Sequence, residues 1–218
     1  MLAAGPMLSW QPHLGMRIAV IPRDGSGPVR WIETDAYWVW HYANAFESGG
    51  TIAMDFPRWN APGFLTPDTK VTGTYVRAVL DPAAGTVEFE TVQDTMTEFP
   101  RIDERRLGRR HRYVIATAST GSVPLGPGEH DALCRIDLET ETMEQYPMGG
   151  AIGEAVFAPK PHGTGELDGY YLAFVNALDD HTTFNIWDAA SFPGAPRARI
   201  HLPQRVPNGL HGNWFHAT

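Results

Sequence analysis

Apolar and polar residues alternate with a period of two along most of the chain, and this pattern predicts strands. It predicts them over residues 16–21, 29–32, 36–42, 51–56, 73–80, 86–91, 112–118, 132–137, 142–146, 153–157, 170–176, 183–187 and 198–202. Turn chemistry punctuates the runs at Arg23-Asp24-Gly25-Ser26-Gly27, Gly49-Gly50, Asp81-Pro82-Ala83-Ala84-Gly85 and Leu138-Glu139-Thr140-Glu141. The prolines of residues 57–68 predict a long loop, and a glycine-rich loop is predicted from the end of the 112–118 strand through Gly128. Helical periodicity is nearly absent, with only a short turn predicted at residues 188–192. Within 36–42, alternation puts Tyr37, Val39 and His41 on one face and Trp38, Trp40 and Tyr42 on the other. Many short strands imply an all-β protein built as a sandwich, a barrel or a propeller. No repeat near 40 residues singles out the propeller.

Composition narrows the class. The 218 residues are 43% hydrophobic and 19% charged, enough for one globular domain with a substantial core. A net charge of −8 argues against a nucleic-acid partner. The one basic cluster, Arg105, Arg106, Arg109, Arg110 and Arg112, is flanked by Asp103 and Glu104 and reads as a solvated loop. Cys134 is the single cysteine, which excludes an intrachain disulfide and a cysteine-based zinc site and suits a reducing compartment. No apolar run reaches the ~20 residues that span a bilayer, and residues 1–15 lack the basic and apolar regions of a signal peptide. These features describe a soluble, cytoplasmic protein without a transmembrane segment.

Two stretches carry candidate chemistry. Near the end, Val206-Pro207-Asn208-Gly209-Leu210-His211-Gly212-Asn213-Trp214 places a histidine on a turn between structure breakers, where one imidazole can be held at a fixed angle. Far upstream stands Trp38-Val39-Trp40-His41-Tyr42-Ala43-Asn44-Ala45-Phe46-Glu47. Between them lie Thr97-Glu98-Phe99-Pro100-Arg101-Ile102-Asp103 and Gly153-Glu154-Ala155-Val156-Phe157-Ala158-Pro159. Taken in this order, the four stretches resemble the carotenoid cleavage oxygenase family, which includes bacterial lignostilbene dioxygenases. Shorter pieces extend the resemblance over nearly the whole chain, among them Leu8-Ser9-Trp10-Gln11-Pro12, Asp168-Gly169-Tyr170 and Ile186-Trp187-Asp188-Ala189.

The resemblance implies a fold and an activity. The family fold is a seven-bladed β-propeller with a metal on its axis. About four blades fit in this length, so residues 1–218 are expected to form the C-terminal part of an incomplete ring. Family members bind Fe(II) through four histidines. His41 and His211 correspond to two of them, and the other two are expected in an N-terminal portion absent from this sequence and needed to complete the site. By the same resemblance Glu98 supports His41 and Glu154 supports His211, each carboxylate taking the second N–H of its imidazole. The implied protein is a non-haem Fe(II) dioxygenase. It cleaves a carbon–carbon double bond of a carotenoid, apocarotenoid or stilbene-type substrate into two carbonyl products, with dioxygen as co-substrate and no side chain as acid or base. The substrate is apolar and conjugated, which leaves room for peripheral membrane contact. Trp38, Trp40, Phe99, Phe157 and Trp214 flank the motifs, as pocket wall or as ordinary core.

Three other readings stand beside this one: an inactive remnant with an incomplete iron site, a β-rich binding module in which His41 and His211 do not meet, and a zinc hydrolase. Glu47 reads as structural, bonding backbone near Asn44. His13, His111, His130, His162, His181, His201 and His216 receive no catalytic role. His111 is placed in the arginine cluster and His130 in a glycine-rich loop. An open ring would leave strand edges and apolar surface exposed, so self-association is expected.

Overall fold

A computed structural model describes residues 9–63 and 69–215. His216, and the part of the predicted 57–68 loop beyond Gly63, lie outside the described residues. The chain is all-β, with fourteen strands among the described residues: β1 (Met16–Val20), β2 (Arg30–Thr34), β3 (Asn44–Ser48), β4 (Thr51–Trp59), β5 (Gly73–Asp81), β6 (Thr86–Gln93), β7 (Thr97–Arg101), β8 (Tyr113–Ala118), β9 (His130–Asp137), β10 (Thr142–Ile152), β11 (Val156–Pro159), β12 (Gly169–Ala177), β13 (Thr182–Asp188) and β14 (Ala198–His201). The only helices among the described residues are single 3₁₀ turns, one of them Ala189–Ser191 at the predicted 188–192 turn, where the Asp188 carboxylate accepts from Ala190 N. No helix of the described residues is long and apolar enough to cross a membrane.

All pairings are antiparallel, and all but the β10–β12 pairing join sequence neighbours. β1 and β2 form a two-stranded sheet, β3–β6 a four-stranded one, and β7–β14 an eight-stranded one. The largest sheet joins two four-stranded runs, β7–β10 and β11–β14, through a short seam in which Gly150–Ile152 face Val175–Ala177. Three cores match this plan. Ile32, Tyr37, Phe56, Val76 and Leu80 bury the two-stranded sheet against the four-stranded one. Tyr75, Val92, Ile102, Val114 and Ile136 join the four-stranded sheet to β8 and β9. Trp187, Tyr171, Phe157, Leu133 and Ile152 fill the last run. Phe174 on β12, Ile200 on β14 and Leu210 beyond it are exposed, and β14 is an edge strand of the largest sheet.

The predicted hairpins at residues 73–91 and 132–146 are present. The predicted strand over 36–42 is not. Trp38 makes one isolated bridge to Trp59, and pairing resumes only at Asn44 opposite Asp55. Residues 39–43 therefore face residues 56–58, two against the ladder's count, and the backbone bulges so that His41 leaves the sheet. The same bulge corrects the loop predicted from Pro57. Asp55 O and Trp59 N both bond toward the 38–43 segment, so the missing N–H of Pro57 falls in the unpaired stretch, and β4 continues to Trp59. The strand predicted at 153–157 begins instead at Val156, because β10 runs on to Ile152 and a break intervenes.

Candidate metal centre

Three of the four predicted site residues are placed by a bulge or a break in the strands, and the fourth lies beyond the last strand. The 39–43 bulge carries His41. In β7, Phe99 and Pro100 together face only Ala116, since Glu98 pairs with Thr117 and Arg101 with Ile115. Phe99 sits in the left-handed region, φ 50°, a conformation that costs a bulky residue energy and marks functional sites. The proline lies where the ladder needs no donor. This bulge turns Glu98 toward His41. Glu154 lies in the break between β10 and β11, two strands that share one edge of β12. His211 is on a segment without regular structure that follows β14.

These irregularities bring the four residues together. His41 Nδ1 is 2.6 Å from Glu98 Oε2, and His211 Nδ1 is 2.8 Å from Glu154 Oε2. The two ring centroids are 4.9 Å apart, with planes at 78°. Both carboxylates are buried, with side-chain exposures of 5% for Glu98 and 4% for Glu154. A carboxylate only accepts, so Nδ1 is the donor in each pair and Nε2 is the nitrogen left to a ligand. Glu98 Oε2 also accepts from Phe99 N at 2.6 Å. Its other oxygen, Oε1, is buried without a hydrogen-bond partner. A buried carboxylate with an orphaned oxygen is costly unless positive charge stands near it.

The donor set fits a divalent transition metal. Imidazole nitrogens suit iron, zinc and copper. Two rings sharing one ion through ~2.1 Å bonds at near-right angles have centroids roughly 5 Å apart. Among the described residues no group of three or more histidine, cysteine, aspartate or glutamate side chains gathers to hold an ion, and the two imidazoles are the nitrogen donors that meet here. They open on a hollow of about 300 Å³ walled by Trp40, Phe99 and Pro100. Phe99 packs on His41 at 5.0 Å between centroids and on His211 at 6.3 Å. Trp214 lines an adjoining cavity of about 330 Å³. Phe157 belongs to the core, and Trp38 packs against Trp10 and Trp40.

Three further side chains are not where the sequence put them. His130 is not in a loop but begins β9, 3% exposed, with Nδ1 2.5 Å from Thr117 Oγ1. Thr117 donates in turn to Glu98 O at 3.1 Å, which ties the β7 bulge to the core. Burial pushes the His130 imidazole down to about 4, against a smaller upward pull from Asp131. His111, read as part of the arginine cluster, is also buried. Its Nδ1 is 3.1 Å from Asn44 Nδ2 and its Nε2 3.4 Å from Asp55 Oδ2, and desolvation again lowers its pKa. The backbone bonding read for Glu47 belongs to Asn44, which bonds Arg106 O, Arg109 O and Gly108 N, while Glu47 is exposed. Glycine-rich and arginine-rich flanks hid both histidines, since sequence context does not show which way a ring turns.

This all-β chain brings one histidine from a sheet bulge and one from the segment after its last strand together, each on a buried glutamate, so that two imidazoles face one point. The chain belongs to the retinal pigment epithelial membrane protein (RPE65) family, whose model matches residues 1–216. It is similar to apocarotenoid-15,15'-oxygenase of Synechocystis, 34% identical over 97% of this chain and 45% of that protein. It is also similar to isoeugenol monooxygenase of Pseudomonas putida, 30% identical over 97% of this chain and 48% of that protein. Among solved structures, cobalt-substituted Synechocystis apocarotenoid oxygenase superposes with a TM-score of 0.86 at 31% identity, over 96% of this chain and 46% of that one. The chain thus spans less than half the length of these relatives.

Proposed function

We propose that this chain is the C-terminal part of a non-haem Fe(II) dioxygenase that cleaves a carbon–carbon double bond of a carotenoid, apocarotenoid or stilbene-type substrate. The observation that carries the reading is the convergence of His41 and His211, each tied through Nδ1 to its own buried glutamate. The oxygenase names of the relatives support the substrate class. The successive four-stranded antiparallel runs β3–β6, β7–β10 and β11–β14 support a portion of a seven-bladed propeller.

The residues divide the work. His41 and His211 hold Fe(II) through Nε2, with the remaining ligands coming from an N-terminal portion. Bound there, the iron supplies the centre at which dioxygen and the alkene meet. Glu98 and Glu154 fix ring orientation and raise ligand basicity. Trp40 and Phe99 give the hollow an apolar wall that excludes water and suits a conjugated chain. The reaction balances without a reductant: the double bond breaks, and each carbon takes one oxygen atom of dioxygen as a carbonyl. No proton transfer is needed, so no acid or base is assigned. The buried, unpaired Cys134 supports a cytoplasmic location, and an apolar substrate allows peripheral contact with a membrane.

A second reading, an inactive remnant with an incomplete site, is favoured by one observation: only two imidazoles meet among the described residues. One experiment separates the two. Purified chain is loaded anaerobically with Fe(II), then given air and an apocarotenal or a hydroxystilbene, with and without the separately produced N-terminal portion of a relative. The dioxygenase reading expects loss of polyene or stilbene absorbance and two carbonyl products only in the mixture, abolished by His41→Ala or His211→Ala. Iron uptake that neither replacement changes would sink the assignment. Uptake without turnover in every mixture would favour the remnant.

A further inference from the structure

The two histidines are held by unlike means. His41 is fixed on both sides, by the Trp38–Trp59 bridge before it and by Ala43 N bonding Asp55 O after it. His211 has no strand of its own. Its side chain is 56% exposed, and the segment from Leu202 to Phe215 has no regular structure. Something other than a ladder must set where its ring stands.

The candidate is Arg101, at the end of β7. Its Nη1 donates to Glu154 Oε1 and, at 2.8 Å, to Gly212 O. Its Nη2 donates to Glu104 Oε1 and, at 3.0 Å, to Asn213 Oδ1. One guanidinium therefore grips both the carboxylate that orients His211 and the two residues that follow it. Gly212 N adds a bond to Glu154 Oε2 at 3.3 Å. On the other side of His211, Asn208 is held by Asn176 and Glu129, and Val206 N donates to Thr182 Oγ1 at 2.9 Å. Among the described residues no guanidinium or ammonium pairs with Glu98, and Glu98 Oε1 is without a hydrogen-bond partner there.

We infer that Arg101 is a positioning residue: it locks Glu154, the Gly212 carbonyl and the Asn213 side chain into one unit and so sets the ring of His211 against that of His41. The planar fork matters as much as the charge, because four acceptors in different directions are met by one rigid group. The arrangement also makes the two halves of the site unequal. Arg101 shares the glutamate behind His211, while Oε2 of the glutamate behind His41 serves that ring and the Phe99 amide.

The inference rests on reading His211 as a ligand, but its test needs no metal. Histidine ring ¹⁵N resonances and amide hydrogen exchange are recorded on the metal-free chain and on Arg101→Gln, Arg101→Lys and Asn213→Ala. In Arg101→Gln the His211 ring is expected to move to the tautomer mixture of a free imidazole. Protection of the Gly212 amide is expected to fall about tenfold or more, the worth of one good hydrogen bond. The His41 ring and the amides of β8 and β9 stay as they were. Arg101→Lys restores only part, since an ammonium keeps the charge and loses the fork. Unchanged His211 signals in Arg101→Gln, or full rescue by lysine, would overturn the inference. Asn213 is exposed, so Asn213→Ala cannot unfold the sheet. Should Arg101→Gln disturb the strands, a His211 ring left unmoved by Asn213→Ala would overturn it as well. A Co(II) titration of the wild-type chain is run beside these. Absence of uptake there would tell against the metal reading and leave the ring signals to decide the role of Arg101.

Discussion

The buried His130 makes a prediction about acid stability. Its imidazole is 3% exposed and titrates at about 4 in the folded chain, against 6.5 ordinarily. Between those values the unfolded chain takes up a proton that the folded chain refuses, so stability rises with pH across that window. The contribution is intact above about pH 6.5 and is lost as the pH falls toward 4. Refusing that proton from pH 6.5 down to about 4, at about 1.4 kcal/mol per pH unit, amounts to about 3 kcal/mol. The His130→Gln variant keeps a polar group near Thr117 but cannot titrate. Urea unfolding of both proteins at intervals from pH 7.5 to 4 gives the two stability curves. They should diverge below pH 6.5, with the wild type losing about 3 kcal/mol more than the variant by pH 4. His111 adds a slope of the same sign to both curves and cancels in the difference. Parallel curves would refute the argument, because they would mean that the folded chain takes up the His130 proton as readily as the unfolded one.

Three more expectations follow from the coordinates. Glu98→Ala removes the acceptor of His41 Nδ1 and should weaken Co(II) or Fe(II) binding roughly 10–100-fold; equal affinity in a metal titration would contradict the supporting role. Gly150→Ala would place a Cβ 2.3 Å from Asn176 O, forcing apart the seam between β10 and β12, with a loss of about 2–3 kcal/mol in urea unfolding. Trp187→Ala empties the largest fully buried side chain, and the urea midpoint should fall by the equivalent of about 3–5 kcal/mol; a loss below 1 kcal/mol would mean that the surrounding core collapses to fill the space.

How much of this was legible before folding depends on the kind of signal. Period-two alternation marked the hairpins, because half-buried strands leave that trace wherever one face meets a core. It misled at 36–42, where alternation is strong but two extra residues against the partner strand break the ladder. It was blind to β7, where a proline inside Thr97-Glu98-Phe99-Pro100-Arg101 argues against a strand, and only the pairing with β8 shows that Pro100 sits at a bulge. The motifs named His41, His211, Glu98 and Glu154 by type and order, since ligand chemistry restricts residue identity. They carried no distances.

The sequence by itself therefore determined the class of fold, the family, and the four side chains of the candidate centre, because local alternation and residue chemistry are written residue by residue. Only the tertiary structure decided that these four meet, that Arg101 closes around the last of them, and that His111 and His130 are buried rather than solvated. The reason is physical. His41 and His211 lie on opposite sides of 169 intervening residues, and their separation in space is the sum of every register, bulge and seam between them. No local pattern encodes a sum of that kind, and two bulged ladders, one break between strands and the contacts of the terminal segment enter it.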